Sequence, residues 1–282
     1  MSCTNLKHYH EEDHNAKDFV ETHFSHGDVS IIEESTVEPA KRLHELFSSG
    51  LVKGDKLLHI SVGAMVYPLL SASNVFKNIY VMDATDTSVN HFKQWLKKGD
   101  GATDWSFASK LVSQLEGNVD GWKEKEEQVR RAVKDVFKYN LFNDSSTGSV
   151  AIPQVDCVLT VFIFNVICKT KEDFKKSLKT FTSWLKVGGY LVFFITLNMT
   201  FYRVGNQKYS TLTVHEKFVR EAVTNAGFAI EKDEVLPTSV ENDIVDYENM
   251  LFLVARKLDT AREKGRFPDT ELRNGDWCGY TI

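Results

Sequence analysis

Several features that would assign this chain to a particular class of protein are missing from its sequence. Its four cysteines have no CxxC spacing, so we expect reduced thiols and neither disulfides nor a zinc site. They lie at Cys3, Cys157, Cys168 and Cys278. No apolar run reaches the length that spans a membrane, and the N-terminus has no apolar core of a signal peptide. These absences favour a cytoplasmic protein.

Charge of one sign is not concentrated anywhere along the chain. The 34 Lys and Arg residues stand against 39 Asp and Glu, a formal net charge of -5, and the pI is about 6.0. Because the basic residues are dispersed, we expect no nucleic-acid surface. The 282 residues are 42% hydrophobic and 12% aromatic, which is a globular composition long enough for one large α/β domain.

The stretch at 57–70 has the pattern of a strand, a tight turn and the start of a helix. It reads LLHISVGAMVYPLL, with an apolar run that breaks at 61–63 and a helical pattern that resumes at Met65. The next apolar run ends on Asp83, about 20 residues past the turn, where an acidic residue usually holds the hydroxyls of a ribose. The spacing therefore predicts a nucleotide-binding βαβ unit with an adenosine site.

Glycine is scarce in this turn. It carries Gly63, whereas such turns often contain two or three glycines. A single glycine does not make the fingerprint that cradles a pyrophosphate, which argues against a nicotinamide-dinucleotide dehydrogenase.

Strand and helix patterns alternate along the rest of the chain, which predicts a parallel sheet covered by helices on both faces. We expect helices at 38–50, 88–98, after Asp104, and at 123–135, 174–185 and 214–226, and strands at 136–141, 155–160, 190–197, 228–236 and 250–256. The last two strands are predicted to form an antiparallel edge pair. One domain is expected over 1–258, with a helical cap at 1–50 and an extension at 259–282.

Three histidines and an aromatic stripe precede the first strand. His8, His10 and His14 could ligate a metal, but no second ligand cluster completes a site, and we expect a surface segment. The stretch at 18–26 is predicted to form a short helix with Phe19, Val20, His23 and Phe24 along one side. Composition alone favours a helix that packs on the core, and a lid over a ligand is the alternative. His59, on the first strand, is more typical of a core histidine than of a catalytic base.

Several motifs resemble one known family. They are YPLLSASNVFKNIYVMD, FKQWLKKGDGATDWS, LEGN, DCVLT, WLKVGGYLVF, VGNQKYSTL and LFLVARKL. The chain is similar, from about residue 18 to 258, to the S-adenosylmethionine-dependent methyltransferases that include nicotinamide, phenylethanolamine and indolethylamine N-methyltransferases and thioether S-methyltransferase. The tryptophan-containing stretches make this resemblance specific, since they are not general methyltransferase features.

The resemblance implies an α/β, class I S-adenosylmethionine-dependent methyltransferase (Rossmann-like) fold, with a seven-stranded, mostly parallel sheet and an N-terminal helical lid. It implies S-adenosylmethionine as cofactor, a small-molecule substrate and a monomer. The cofactor positions that it carries over are Phe19, Phe24, Ser61, Gly63, Tyr67, Asp83, Ser88, Asn140, Leu141 and Val161. The substrate-pocket positions are Asn165, Ile195, Tyr202, Ser210 and Thr211.

The chain departs from the family pattern on the cofactor side. His59 replaces an acidic residue, and Ser61 replaces the first glycine of the turn, which places a side chain where backbone approaches the ligand. Asn140 replaces an aspartate but keeps an oxygen that can accept a hydrogen bond. Phe19 and Phe24 replace tyrosines and lack their hydroxyl groups.

Two acids are also missing on the acceptor side, where Asn165 and Ile195 stand. An amine anchored by a carboxylate loses both partners, so nicotinamide is not the expected substrate. Two interpretations follow. One is a methyltransferase for a small-molecule amine or thioether, in which positioning and desolvation supply most of the rate. The other is a methyltransferase-fold protein that binds a ligand or partner without catalysis.

Overall fold

The computed structural model describes residues 6–8, 16–25, 29–139, 153–238 and 243–259. The expectations for His10, His14, Asn140 and Leu141, and for nearly all of the 259–282 extension, concern residues outside this description. Of the helices in the described ranges, none is both long and apolar enough to cross a bilayer. The domain bounds stay a prediction.

Short helices precede the sheet, and longer helices connect its strands. The helical bounds are α1 Ala16–Val20, continued by a π-helical turn at Glu21–Ser25, α2 Val29–Ile32, continued by a second π-helical turn at Glu33–Val37, α3 Glu38–Ser48, α4 Pro68–Val75, α5 Asp86–Leu96, α6 Ser106–Leu115, α7 Trp122–Ala132, α8 Ile163–Ile167, α9 Lys171–Trp184 and α10 Glu216–Asn225.

Seven strands form one sheet, in the order β3-β2-β1-β4-β5-β9-β8. The strand bounds are β1 Lys56–Ile60, β2 Asn78–Asp83, β3 Val133–Lys138, β4 Val155–Val161, β5 Leu185–Leu197, β6 Phe201–Val204, β7 Gln207–Ser210, β8 Phe228–Pro237 and β9 Asn249–Lys257. Strand β9 runs antiparallel to β5 and β8, and the pairs from β3 to β5 are parallel. Strands β6 and β7 form a separate hairpin. The predicted seven-stranded, mostly parallel sheet is confirmed.

The central strands are apolar because helices cover both faces of the sheet. Leu57 and Leu58 of β1 and Val158 and Leu159 of β4 have no exposed surface. Helices α3, α4, α6 and α7 pack against one another, and α9 and α10 pack on β4, β5 and β8. The apolar sides of these helices therefore face the other helices and the strands of the sheet.

The helix after the first turn begins later than its sequence pattern suggests. The apolar period resumes at Met65, but α4 begins at Pro68. Gly63 and Ala64 adopt positive φ angles of 68° and 62°, so the chain does not enter the right-handed helix until Pro68. Proline suits this place because the first helical residue needs no N–H partner.

Strands β3 and β5 begin earlier than predicted. Strand β3 starts at Val133, inside the predicted helix, because Val133 pairs with Ile79 of β2. Strand β5 starts at Leu185 and takes in the predicted glycine turn at 186–189, with a register shift where β4 pairs with it. Helix α8 and the β6–β7 hairpin were not predicted, since each element has five residues or fewer, too few to show a period.

One carboxylate ties the amino ends of three central strands together. Asp156 Oδ2 accepts the backbone N–H groups of Asp55 and Lys56 at 3.0 and 2.9 Å. Its Oδ1 accepts a hydrogen bond from Lys186 Nζ at 2.5 Å. Burial opposes ionisation of this carboxyl, but the Lys186 ammonium and the two N–H groups outweigh burial, so the pKa of Asp156 is lowered.

We expect Asp156→Asn to lower the free energy of unfolding by about 1–2 kcal/mol at neutral pH, since hydrogen bonds to a charged group are lost. A carboxyl whose folded-state pKa is lowered stabilises the protein above its unfolded pKa, so the difference should shrink as pH falls below about 4. Urea unfolding of both proteins across this range measures it. Glu172→Gln, which removes an exposed charge paired with Lys175, should cost less than about 0.5 kcal/mol. An equal loss in both variants would contradict the role of Asp156.

Candidate active site

The strand order reverses between β1 and β4, which are neighbours in the sheet. In open α/β sheets such a reversal leaves a crevice outside the carboxyl ends of the two strands, and ligands bind there. The turn after β1, Asp83 at the end of β2 and Phe162 after β4 all lie at this edge. The crevice is therefore where the predicted nucleotide site should lie.

The turn after β1 is covered by the N-terminal helices. Gly63 adopts a positive φ of 68°, a conformation that L side chains rarely take. The ring of Phe19 rests on the Gly63 backbone so closely that a β-carbon there would overlap it. Phe19 also contacts Phe24, with ring centroids 5.6 Å apart. The helical stripe is thus a lid over the turn and also part of the core.

Ser61 and His59 both lie against Met65, in the turn after β1. Ser61 Oγ accepts the Met65 N–H at 3.2 Å. His59 Nε2 lies 3.3 Å from the Met65 carbonyl oxygen, and Nδ1 lies 3.2 Å from that of Leu159. Burial lowers the pKa of His59 to about 4, although both backbone contacts favour protonation. His59 is therefore neutral near pH 7 and donates its single N–H to one carbonyl, which suits a core histidine.

Tyr67 joins the turn to the lid. Its hydroxyl donates a hydrogen bond to the Ser35 carbonyl at 2.8 Å, and its ring lies 6.1 Å from Phe24 and 5.9 Å from Trp105 between centroids. Burial raises the pKa of the Tyr67 phenol, so the hydroxyl keeps its proton and remains a donor. In this structure the phenol therefore links the start of α4 to the π-helical turn at Glu33–Val37, which belongs to the N-terminal lid.

Asp83 ends β2 and is almost fully buried, with 3% of its surface exposed. Its Oδ1 accepts the Thr85 N–H at 3.3 Å. Thr85 caps α5 by accepting the Ser88 N–H at 3.1 Å and donates its own hydroxyl to Ser88 Oγ at 2.9 Å. The capped helix thus fixes Asp83 and Ser88 at the carboxyl end of β2, where a ribose would be recognised.

Phe162, directly after Val161 at the end of β4, has a strained backbone. Its φ is 61°, which is an outlier for a bulky residue and costs about 1–3 kcal/mol. Its N–H donates to the Phe194 carbonyl at 2.9 Å, and α8 follows at once. Such strain persists where the surroundings impose it, often at ligand sites.

A mostly apolar cavity lies between the lid and the crevice. Its volume is about 60 Å³, room for only a few water molecules. The residues that line it come from the lid, the turn, α8, β5 and the segments around β6 and β9. They are Phe19, His23, Phe24, Ile31, Ser35, Val62, Phe162, Asn165, Val166, Thr196, Met199, Tyr202, Val245 and Tyr247. Because the ring of Phe19 rests on Gly63, a cofactor can reach this turn only if the ring moves.

Asn165 uses its amide to join three parts of the cavity wall. Its Nδ2 donates to the carbonyls of Thr196 and Leu212 at 3.0 and 3.1 Å, and its Oδ1 accepts the Thr196 N–H at 3.2 Å. The residue is 1% exposed. A carboxylate here would face two carbonyl oxygens, so the asparagine is the side chain that this packing requires.

Four further predicted positions, like those of the turn and of Asp83 and Ser88, are not among the residues that line this cavity. Ile195 is fully buried and pairs with Leu251 of β9, next to the lining residue Thr196. Val161 is buried at the end of β4. Thr211 donates its hydroxyl to the Met199 carbonyl at 2.9 Å. Ser210 binds the N-terminal segment.

The N-terminal segment adds to the β6–β7 hairpin. Lys7 pairs with Tyr209, the Ser210 N–H donates to the Lys7 carbonyl at 3.0 Å, and Ser210 Oγ lies 2.9 Å from His8 Nε2. Within the described ranges no three His, Cys, Asp or Glu side chains are grouped to hold a metal ion. His8 contacts the hairpin, while His10 and His14 lie outside those ranges.

His23, which the sequence places in the aromatic stripe, lines the cavity and contacts the Arg203 carbonyl through Nε2 at 2.6 Å. Other site residues were missed from the sequence. Glu34 and Tyr247 form a hydrogen bond at 2.5 Å across a separation that no local pattern shows. Phe162 follows a clear strand, but its backbone angle cannot be read from sequence.

Solved structures with a similar fold are methyltransferases. One from Methanosarcina mazei, described as an S-adenosylmethionine-dependent methyltransferase, has a TM-score of 0.52 at 13% identity and covers 76% of this chain and 97% of its own. Another, from Clostridium acetobutylicum, has a TM-score of 0.50 at 13% identity and covers 79% and 92%. Together with the strand order, these similarities show that the chain has the class I S-adenosylmethionine-dependent methyltransferase fold.

Sequence comparison identifies the family within that class. A sequence profile described as the NNMT/PNMT/TEMT family matches residues 2–258. Human nicotinamide N-methyltransferase is 36% identical over 245 residues, covering 86% of this chain and 93% of the relative. Mouse indolethylamine N-methyltransferase is 33% identical over 249 residues, covering 88% and 94%. The chain belongs to the NNMT/PNMT/TEMT family, as its motifs predicted.

We expect Asn165→Asp to destabilise the protein by about 3 kcal/mol or more at neutral pH, because a buried carboxylate would replace two N–H donors. Burial raises the pKa of such a carboxyl above its unfolded value, so the loss should be small below about pH 4 and grow as pH rises. Urea unfolding of both proteins at neutral pH and below about pH 4 measures this loss of stability.

Asn90→Asp makes the same change on the exposed side of α5 and should stay within about 0.5 kcal/mol. A loss in Asn165→Asp that does not depend on pH would contradict the buried-carboxylate explanation.

Proposed function

We propose that this protein is an S-adenosylmethionine-dependent methyltransferase for a small-molecule acceptor, an amine or a thioether, and not for nicotinamide. One observation carries the proposal: buried Asp83 and the Gly63 turn flank the crevice at the strand reversal, and Phe19 of the N-terminal lid packs on Gly63. We further propose that it acts as a cytoplasmic monomer.

The residues of the crevice fit the cofactor once the lid has opened. The Asp83 carboxylate can accept two hydrogen bonds from the hydroxyls of a ribose, and Gly63 has no side chain to keep a ligand from the backbone. When bound, the cofactor supplies a methyl group on a positively charged sulfur. The ring of Phe19 rests on Gly63, so this ring must leave the turn before the methionine part can lie there.

The cavity suits an acceptor that reacts in its neutral form. Its wall is mostly aromatic and aliphatic, and the amide of Asn165 is hydrogen-bonded to backbone groups of the protein. A dry wall of this kind disfavours a charged amine and favours its neutral form. Positioning and desolvation then supply the main part of the rate, without a dedicated base.

A second candidate is a methyltransferase-fold protein that binds a ligand or partner without catalysis. Three observations favour it. Phe19 fills the space above Gly63, Ser61 Oγ is engaged by the Met65 N–H, and the Tyr67 hydroxyl is engaged by Ser35. In this reading the closed lid is the functional state.

Calorimetry with S-adenosylmethionine and S-adenosylhomocysteine tests the proposal. We expect micromolar binding that is lost in Asp83→Ala, because the ribose loses its acceptor, and kept in Asp86→Ala, which removes a nearby exposed carboxylate paired with Lys138. Mass spectrometry of amines and thioethers incubated with the protein then identifies the acceptor by the gain of one methyl group. No cofactor binding up to millimolar concentration would contradict the enzyme and leave the second candidate.

A further inference from the structure

A buried carboxylate lies directly behind the wall of the cavity. Glu34, on the π-helical turn after α2, is 5% exposed. Its Oε2 accepts hydrogen bonds from the hydroxyls of Thr238 at 2.6 Å and Tyr247 at 2.5 Å. Hydroxyl–carboxylate bonds of this length are charge-assisted and stronger than neutral ones. They connect the lid to the segment between β8 and β9.

Tyr247 connects this carboxylate to the cavity, because Tyr247 bonds Glu34 and is among the residues that line the cavity. A phenol has one proton, and Tyr247 donates it to Glu34. Burial, and then Glu34 itself, raise the pKa of the Tyr247 phenol, so the phenol stays protonated at neutral pH. Toward a ligand, its oxygen can therefore only accept a hydrogen bond, and the bond to Glu34 makes it a better acceptor.

Two other polar side chains of the wall, those of Asn165 and Thr196, are engaged within the protein. Asn165 uses both ends of its amide on backbone groups, and the Thr196 hydroxyl donates to Met199 Sδ at 3.0 Å. Val62 of the turn and Phe162 after β4 also line the cavity. A molecule in the cavity consequently lies beside the carboxyl ends of β1 and β4, with Tyr247 in the wall around it.

We propose that Tyr247, polarised by Glu34, selects the acceptor: it favours an amine that carries an N–H group over an acceptor without a hydrogen-bond donor, such as a thioether. This inference rests on the proposed function and narrows its substrate class.

Methyl transfer to such an amine makes the interaction stronger as the reaction proceeds. The lone pair of the acceptor nitrogen forms the new N–C bond, the C–S bond breaks, and its electron pair stays on sulfur. Positive charge thereby passes to nitrogen, whose N–H becomes a stronger donor to Tyr247, and the proton afterwards leaves to water. An interaction that strengthens toward the transition state raises kcat more than it lowers KM.

A pair of probes that differ at the reacting atom tests this selection. Benzylamine has N–H donors, and benzyl methyl sulfide has none. For each probe we would measure binding by calorimetry in the presence of S-adenosylhomocysteine, and kcat/KM by mass spectrometry. In Tyr247→Phe we expect the amine to lose about 10- to 100-fold in kcat/KM, mostly in kcat, and the sulfide to change less than about 2-fold.

Two further variants separate selection from folding. Glu34→Gln keeps an oxygen for the Tyr247 proton but removes the charge, and it should reduce the preference for the amine by a smaller factor. Tyr190→Phe makes the same chemical change as Tyr247→Phe on β5, where Tyr190 pairs with Arg256 at the far end of β9 from Tyr247, and should leave both probes unchanged. Thermal unfolding of each variant shows whether it is folded.

An unchanged amine-to-sulfide ratio in Tyr247→Phe, or an equal loss for both probes, would overturn the selection and leave the methyltransferase proposal intact. If neither probe is methylated, the two affinities decide, since wild-type protein that binds the amine no more tightly than the sulfide also overturns it. Loss of the proposed function itself would appear separately, as absent S-adenosylhomocysteine binding.

Discussion

The hydrogen bond from the Met65 N–H to Ser61 Oγ holds the turn on which the candidate site is built. His59 Nε2 lies 3.3 Å from the carbonyl oxygen of the same residue. Within this turn Gly63 and Ala64 keep their left-handed angles, and Phe19 of the lid packs against Gly63. The position of the lid, the volume of the cavity and the direction of Tyr67 all depend on this turn.

The side chains at positions predicted to differ from the family pattern are held by contacts within the protein. Ser61 and His59 both lie against Met65. Asn165 stands where its two N–H donors face carbonyl oxygens, a place that an ionised acid could not occupy without rearrangement.

The sequence predicts the sheet well, because buried parallel strands are continuous apolar runs and their helices are amphipathic. Asp83 could be placed because it follows such a strand at a known spacing from the turn. Other features depend on contacts between distant residues. Glu34 and Tyr247 are 213 positions apart. Strand β3 begins inside a stretch with a helical pattern, because Val133 pairs with Ile79 of β2. The left-handed angle of Phe162 is imposed by its surroundings and has no local signal.

The contacts of the lid also determine when the site can form as the chain is made. His23 meets the carbonyl of Arg203, 180 positions later, and His8 meets Ser210, 202 positions later. Contacts between such distant residues close late in folding, because a long loop must be ordered first. On the ribosome, where the N-terminal part emerges first, these contacts of His8 and His23 cannot form until the hairpin has been synthesised. The first residues to be made thus complete their contacts only after the five parallel strands, β1 to β5, have been made.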